Sequence, residues 1–426
     1  MIGSLILTAL SAWHSEVLHY DASGHDYPLV FVDCMSFPVI LGSVSDNTMI
    51  IRWDGSTWNY DFQPYPYGYP FVQVKMDSND FLWLPVHGDY YGGGVGEILI
   101  FHQSYTGWDT LLFDDDTVSN YFWGFTLDTS DVPHIFYTRG GYPFALCHAY
   151  LQDTIWLIDT LEFIYDGIPG TFGTSATSED NVLYFVHMTM EYLICGWLED
   201  SIWHEDTVDD VSGLGDFCFS SVWVTLDRWG YPHLRYYPYY YSIGYRSKYA
   251  FGDSLGWHAE FINDSPDDIW WSMSLAVDSS GVVHAAKSDP TGIYHMIHYP
   301  GDTLWYEAER IDTFSDAGRI QIAIDNQDYL HVVFTVGNET KLIYATTNPE
   351  VGTREASPPE PSRTLMLSMA PSGFLISGYS GPVRVYDATG RLLLSREIKG
   401  KTLVGPLNPG VYFVKAGEQR EKVAVK

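Results

Sequence analysis

"LDRWGYPHLRYY", Leu226–Tyr237, places an acid, a glycine, a histidine and an arginine in one short run. His233 and Arg235 stand two apart, so on a strand they share a face. Alone, the stretch reads as a candidate catalytic cluster. The rest of the chain carries copies of it. "LDTSDVPH" starts at Leu127, "VDSSGVVH" at Val277 and "IDNQDYLH" at Ile324. Weaker copies are "MDSNDFLW" at Met76, "VDCMSFPV" at Val32 and "ATSEDNVL" at Ala176. The acid position falls at 33, 77, 128, 177 (a Thr), 227, 278 and 325, at intervals of 44 to 51 residues.

A tryptophan series runs in step. "QDTIW", "EDSIW" and "GDTLW" end at Trp156, Trp203 and Trp305, and Trp13, Trp58, Trp108 and Trp257 fill the remaining slots. Between these marks the chain alternates short β-branched and aromatic runs with Gly/Asp turns, and no segment sustains a 3.6-residue period. Four strands in about 50 residues is the unit of a β-propeller blade. The expected fold is all-β: a seven-bladed propeller over residues 1–350, its N-terminal strand completing the last blade. "SLILTAL" before that strand is a spare strand, a cleaved signal or the remnant of a longer N-terminus.

The repeat also weighs the histidines. Asp at the head of D-x-x-G suits a tight turn, because its carboxylate accepts from backbone amides two residues on. His134, His233, His284 and His331 follow Asp128, Asp227, Asp278 and Asp325 at one spacing, with Val39, Trp83 or Leu183 in that slot elsewhere. A catalytic residue occurs once in a pseudo-symmetric ring. A residue repeated four times reads as packing or an inter-blade hydrogen bond. The Trp series reads as blade core. Only Arg235 is peculiar to the opening stretch.

The D-x-x-G-x-x-H turn at this period resembles the sialidase-like, or neuraminidase-repeat-like, propellers. The chain departs from their S-x-D-x-G-x-x-W box: "DGSTW" at Asp54 is one residue short. That resemblance implies the fold, and with it a sialidase-like hydrolase as one possible chemistry.

Charge changes sign near residue 351. Residues 1–350 carry 11 Lys+Arg and 48 Asp+Glu, and residues 351–426 carry 11 Lys+Arg and 6 Asp+Glu. An acidic surface of this size repels phosphate backbones and anionic membranes, so nucleic acid is not expected as a partner. No apolar run is long enough for a transmembrane segment. "MIGSLILTALSA" lacks a basic n-region and makes a poor export signal. The four cysteines form no C-x-x-C pair, and no metal or cofactor motif is found.

Residues 351–363 are a Pro-rich linker, "EASPPEPS" at its heart. Residues 364–426 alternate strands with Gly turns, as in a small Ig-like β-sandwich. "VRVYDATGRLLL", "LNPGVYFVKAG" and the ending "KVAVK" resemble the C-terminal sorting domain (type A) of type IX secretion substrates. The matching residues include Tyr386, Asp387, Gly390, Arg391, Gly410 and Tyr412. The resemblance implies the type IX secretion machinery as a partner. It also implies a secreted or outer-membrane surface location on a bacterium.

Two tyrosine-rich loops are candidate ligand contacts: Tyr65, Tyr67 and Tyr69, and Tyr237, Tyr239 and Tyr240. Tyrosine offers a flat apolar face and a hydroxyl, which suits sugar rings or protein partners. "FDDDT" at Phe113 and "NDSPDD" at Asn263 cluster carboxylates as Ca²⁺ loops do, without the EF-hand order. Two function classes follow. One is a secreted, non-catalytic propeller that binds glycan or a surface protein. The other is a glycan-active enzyme, a glycoside hydrolase or polysaccharide lyase, on the same fold. The enzyme needs a repeat-breaking cluster at one mouth of the ring, and its candidates are Arg139, Arg235, Tyr245 and Arg246.

Overall fold

Runs of β-branched and aromatic residues between Gly/Asp turns become strands throughout the computed structural model. No helix occurs among the described residues. These are 13–20, 28–44, 47–64, 73–87, 98–105, 107–113, 121–140, 143–164, 170–188, 191–210, 222–236, 239–240, 244–245, 247–262, 273–289, 291–314, 318–337, 340–351, 366–370, 373–377, 380–388, 391–399, 402–404, 407–416 and 419–425. The chain divides into two units, Met1–Gly352 and Thr353–Lys426.

The first unit is a β-propeller. Its described residues form seven four-stranded antiparallel sheets. Blade 1 holds Leu29–Val32, Pro38–Val44, Asn47–Trp53 and Trp58–Pro64. Blade 2 holds Lys75–Met76, Leu82–His87, Ile98–Ser104 and Gly107–Phe113. Blade 3 runs Tyr121–Leu127, Pro133–Arg139, Phe144–Gln152 and Ile155–Ile164. Blade 4 runs Gly170–Thr177, Leu183–Met188, Tyr192–Glu199 and Ile202–Asp210. Blade 5 has Trp223–Leu226, Pro232–Tyr236, Lys248–Asp253 and Gly256–Phe261. Blade 6 has Ser274–Val277, Val283–Asp289, Gly292–His298 and Tyr306–Asp312. Blade 7 takes Ile320–Ile324, Leu330–Val336 and Lys341–Thr346, and its outer strand is His14–Tyr20 from the other end of the chain. That strand pairs antiparallel with Lys341–Thr346, His19 opposite Leu342.

The core of the first unit lies between blades rather than inside them. Seven apolar clusters each span one junction, from Leu41–Leu84 between blades 1 and 2 to Ile293–Val332 between blades 6 and 7. The seventh joins Val333, Leu342 and Leu18 of blade 7 to Ile40 and Ile51 of blade 1, so the ring closes. This corrects the reading of the tryptophans. Each packs against one junction cluster: Trp58 between blades 7 and 1, Trp156 between 2 and 3, Trp203 between 3 and 4, Trp305 between 5 and 6. Trp58 Nε1 donates across to Glu16 at 2.8 Å, and Trp305 Nε1 to Glu260 at 3.2 Å. Trp203 lies flat on Gly196, where a Cβ would come within 2.0 Å of its ring.

The second unit is a two-sheet β-sandwich. Met366–Ala370, Gly373–Ser377 and Thr402–Val404 form one sheet. Leu392–Lys399, Ser380–Asp387, Gly410–Ala416 and Gln419–Val425 form the other. Phe374, Ile376, Val383, Val385, Tyr412 and Val414 fill the space between them. The Tyr386–Arg391 stretch makes a hairpin turn: Asp387 N–H donates to Arg391 O at 3.0 Å, and Arg391 N–H donates to the Asp387 carboxylate at 3.1 Å. Tyr412 OH donates to Asn408 O at 2.6 Å, next to Gly410. Gly390 lies outside the described residues.

Candidate functional site

In six of the seven blades the recurring acid caps the turn between the inner and second strands. Asp227 Oδ1 accepts from Trp229 N–H and Tyr231 N–H, both at 2.9 Å. Asp128, Asp278 and Asp325 do the same with the amides two and four residues on. The residue three after the acid takes a left-handed backbone in every blade: Ser36, Asp80, Asp131, Asn181, Gly230, Gly281 and Asp328, with φ between 62° and 85°. In blade 4 the capping residue is Ser178, whose Oγ accepts from Val182 N–H at 3.0 Å. Thr177 is therefore one position early, and Tyr184, not Leu183, occupies the histidine slot.

The box histidines bond within their own blade, not between blades. His134 Nδ1 meets His148 Nε2 at 2.8 Å, and His284 Nδ1 meets His295 Nε2 at 2.8 Å. In blades 5 and 7 a tyrosine takes the partner's place: His233 to Tyr249 OH and His331 to Tyr344 OH, each at 2.6 Å. The other ring nitrogen faces the box acid, at 3.2 Å for His284–Asp278 and 3.7 Å for His233–Asp227. Blades 3, 5, 6 and 7 thus each carry an acid–His–His or acid–His–Tyr relay that ends in the sheet.

These relays make stability pH-dependent. Burial, helped by the neighbouring His134 and His284, pulls His148 and His295 each down to about 3 from an ordinary 6.5. Below pH 6.5 the unfolded chain takes up protons that the folded rings refuse. Their contribution is intact above that pH and is lost as pH falls toward 3. Burial would raise Asp278, but hydrogen bonds from His284, Ser280 and Val282 hold it near 2, so it acts in the same direction. Glu162 opposes them. Burial and Glu205 lift it to about 7, and its stabilisation is lost as pH rises through that value. Between pH 6.5 and 5 each of the two rings should lower the unfolding free energy by roughly 2 kcal/mol, and Glu162 should offset about as much as one ring, leaving a net drop of about 2 kcal/mol. Urea unfolding at pH 7 and pH 5 measures it. Equal midpoints would refute the assignment.

The inter-blade bonds are made by different atoms of the same turn. In blades 1, 2, 3 and 6 the residue after the acid donates to the left-handed residue of the next blade. Ser78 N–H donates to Asp131 at 3.0 Å, Thr129 N–H to Asn181 at 2.9 Å and Ser279 N–H to Asp328 at 2.9 Å. Cys34 N–H donates to Asp80 at 2.8 Å, and Ser36 Oγ bonds Asn326 across the junction of blades 7 and 1. Where Gly230 and Gly281 stand, no side-chain acceptor exists.

At the box end of the inner strands lies a cavity of ≈ 420 Å³ lined by Lys75, Thr126, Asp128, Asp131, Thr177 and Thr225 among others. Lys75 Nζ donates to Ser175 O at 2.9 Å, and burial brings its pKa down to about 8. Thr126 and Thr177 hydroxyls bond each other at 2.8 Å. Sequence reading missed this site. Its lining comes two to four residues per blade from blades 2 to 5, at the ends of the inner strands where the box copies begin, and only the fold brings these repeats together.

Arg235, the suspected repeat-breaker, is 1% exposed, on a strand between Trp223 and Tyr249. Neither Arg235 nor Arg139 lines the cavity. Tyr239–Tyr240 and Gly244–Tyr245 form a short hairpin. Tyr65, Tyr67, Tyr69, Tyr237 and Arg246 lie outside the described residues, as do Asp114–Asp116 and Asn263–Asp268 of the two acidic loops. Among the described residues no group of three or more His, Cys, Asp or Glu is placed to hold a metal ion. No described helix is long and apolar enough to cross a membrane.

No protein-family model and no curated protein matches the chain. Solved structures do. Virginiamycin B lyase from Staphylococcus aureus superposes with a TM-score of 0.52 at 12% identity, over 79% of this chain and 99% of that one. An ulvan lyase, a polysaccharide lyase, superposes with a TM-score of 0.52 at 8% identity, over 78% of this chain and 95% of that one. At such identities the likeness is one of fold, and the fold shared with both is the β-propeller.

Proposed function

We propose that this is a secreted bacterial propeller that binds glycan at the cell surface without catalysing its cleavage. Export would run through the C-terminal unit and the type IX machinery. The observation that carries the non-catalytic reading is the fate of the histidines. His134, His233, His284 and His331 each bond a partner in their own sheet, and each faces a box acid. A general base needs a free lone pair within reach of substrate, and these rings direct theirs into the blade. The export reading is supported by the sequence resemblance of residues 364–426, in which Asp387 and Arg391 bond across a turn and Gly410–Tyr412 opens a strand. The basic excess of residues 351–426 agrees with it.

Two measurements test the reading. In a bacterium with type IX export, the full chain should reach the surface, and a chain ending at Arg363 should stay in the periplasm. Surface display of the truncated chain would sink the export reading. The purified full chain should retain glycans without releasing new reducing ends or unsaturated sugars. Steady product release would favour the lyase or hydrolase alternative.

A further inference from the structure

The fifth box turn, Asp227–Arg228–Trp229–Gly230–Tyr231, departs from the other six where it meets solvent. The position two after the acid is Asn79, Ser130, Asp180, Ser280 or Gln327 in five blades and Met35 in the first. Only here is it tryptophan. The position after the acid is a cation only here. At +3, Gly230 and Gly281 remove the acceptors that link the other turns, so Arg228 has no rung to make toward blade 6.

The Trp229 indole occupies that gap. A Cβ on Gly281 (φ +85°) would stand 3.1 Å from the edge of the indole and 3.7 Å from Pro300 Cγ, so Trp229 and Pro300 flank one glycine. The Arg228 guanidinium sits 4.3 Å from the Trp229 ring centre. Trp229 is nonetheless 53% exposed, beside Tyr231 at 42%. On the neighbouring blade-6 turn, Tyr299 and Tyr306 are 47% and 44% exposed, with ring centres 5.9 Å apart. Four large aromatics and one guanidinium therefore line the box end of blades 5 and 6. Leaving this apolar area in water costs stability that serine at the same turn position would not forfeit.

We propose that Arg228, Trp229, Tyr231, Tyr299 and Tyr306 form the binding surface for an uncharged polysaccharide. The inference rests on the glycan-binding reading and names its site and ligand class. A pyranose ring has an apolar C–H face that lies on an aromatic ring. Its rim of hydroxyls accepts from a planar guanidinium and donates to a carboxylate such as Asp302, which is bonded to Tyr306. Charge selects the class. The first 350 residues hold 48 acids against 11 bases, which repels uronate or sulfate polymers but costs a neutral chain nothing.

Affinity electrophoresis of the full chain through gels containing laminarin, galactomannan or xyloglucan, with alginate as the polyanion, tests the surface. At least one neutral polymer should retard the wild type. Trp229→Ala should weaken that binding at least about tenfold, as loss of a central aromatic contact does. Met35→Ala, the equivalent exposed position of blade 1, should not. Should Trp229→Ala fail to fold, the Tyr299→Ala/Tyr306→Ala double variant tests the same surface without touching the box turn. Equal retardation of wild type and these variants would overturn the site and leave glycan binding standing. No retardation of the wild type by any neutral polymer, or retardation by alginate alone, would overturn both. So would a surface that proves to bind only a polypeptide.

Discussion

A chain that begins at Asp21 should fail to close its ring. Strand His14–Tyr20 is the fourth strand of blade 7, and without it Lys341–Thr346 becomes an open edge. The strand does more than pair. Leu18 enters the cluster shared by blades 7 and 1, and Trp13 packs on the cluster of blades 6 and 7. Glu16 accepts from Trp58 Nε1 at 2.8 Å, the Leu18 carbonyl accepts from Tyr60 OH at 2.9 Å, and His14 bonds Val351 O at 2.6 Å. Removing residues 1–20 therefore loosens two junctions as well as one blade. The loss should exceed about 5 kcal/mol, the lower end of the stability of a whole domain. Thermal unfolding should lose its cooperativity, and a synthetic 13–20 peptide should restore part of it in a concentration-dependent way. A truncated chain that melts as the full one does would refute the clasp.

His331→Ala should be the most damaging single substitution among the box histidines, costing about 4 kcal/mol. His331 is fully buried, bonded to Tyr344 OH at 2.6 Å and facing the equally buried Asp325 carboxylate at 3.4 Å. Its removal leaves a hydroxyl and a carboxylate partly unsatisfied inside the sheet, and a cavity besides. Tyr344 also stacks edge-on against Trp58, so the disturbance reaches blade 1. His258→Ala is the comparison, because that ring pairs with Asp253 at the surface, and it should change stability by less than about 0.5 kcal/mol. Urea midpoints measure both, and similar shifts for the two variants would contradict the relay.

The period, the turn chemistry and the strand content are legible in the sequence because each is local. An acid capping its own amides and a left-handed residue three places on need only five consecutive residues. Frame is harder to read. "ATSEDNVL" offers a threonine and a serine side by side, and only the fold shows that Ser178 caps, because Asn181 then falls on the left-handed position. The relay partners were not legible. His148, Tyr249, His295 and Tyr344 lie 11 to 16 residues beyond their histidines and alternate in type. The tryptophans were legible as a series but not as mortar between blades, since the strand they face belongs to the previous repeat. Arg235 drew attention as an oddity, and its place is inside the sheet. Arg228 and Trp229, in the same quoted stretch, break the repeat at the surface. Comparing the seven turns position by position exposes them, where searching for catalytic pairs does not.

The side-chain rungs have a further consequence for how the ring carries load. Between blades 7 and 1 the seam is latched twice, by the clasp strand and by Ser36 with Asn326. Across the ring, at the seams of blades 4 to 6, the two glycines remove the rungs at the turns, and the directional bonds move to the outer strands: Tyr236 and Lys248 bond Asp209, and Trp305 and His298 bond Glu260. Load at these seams is therefore carried away from the box turns, on the side that holds the exposed tryptophan.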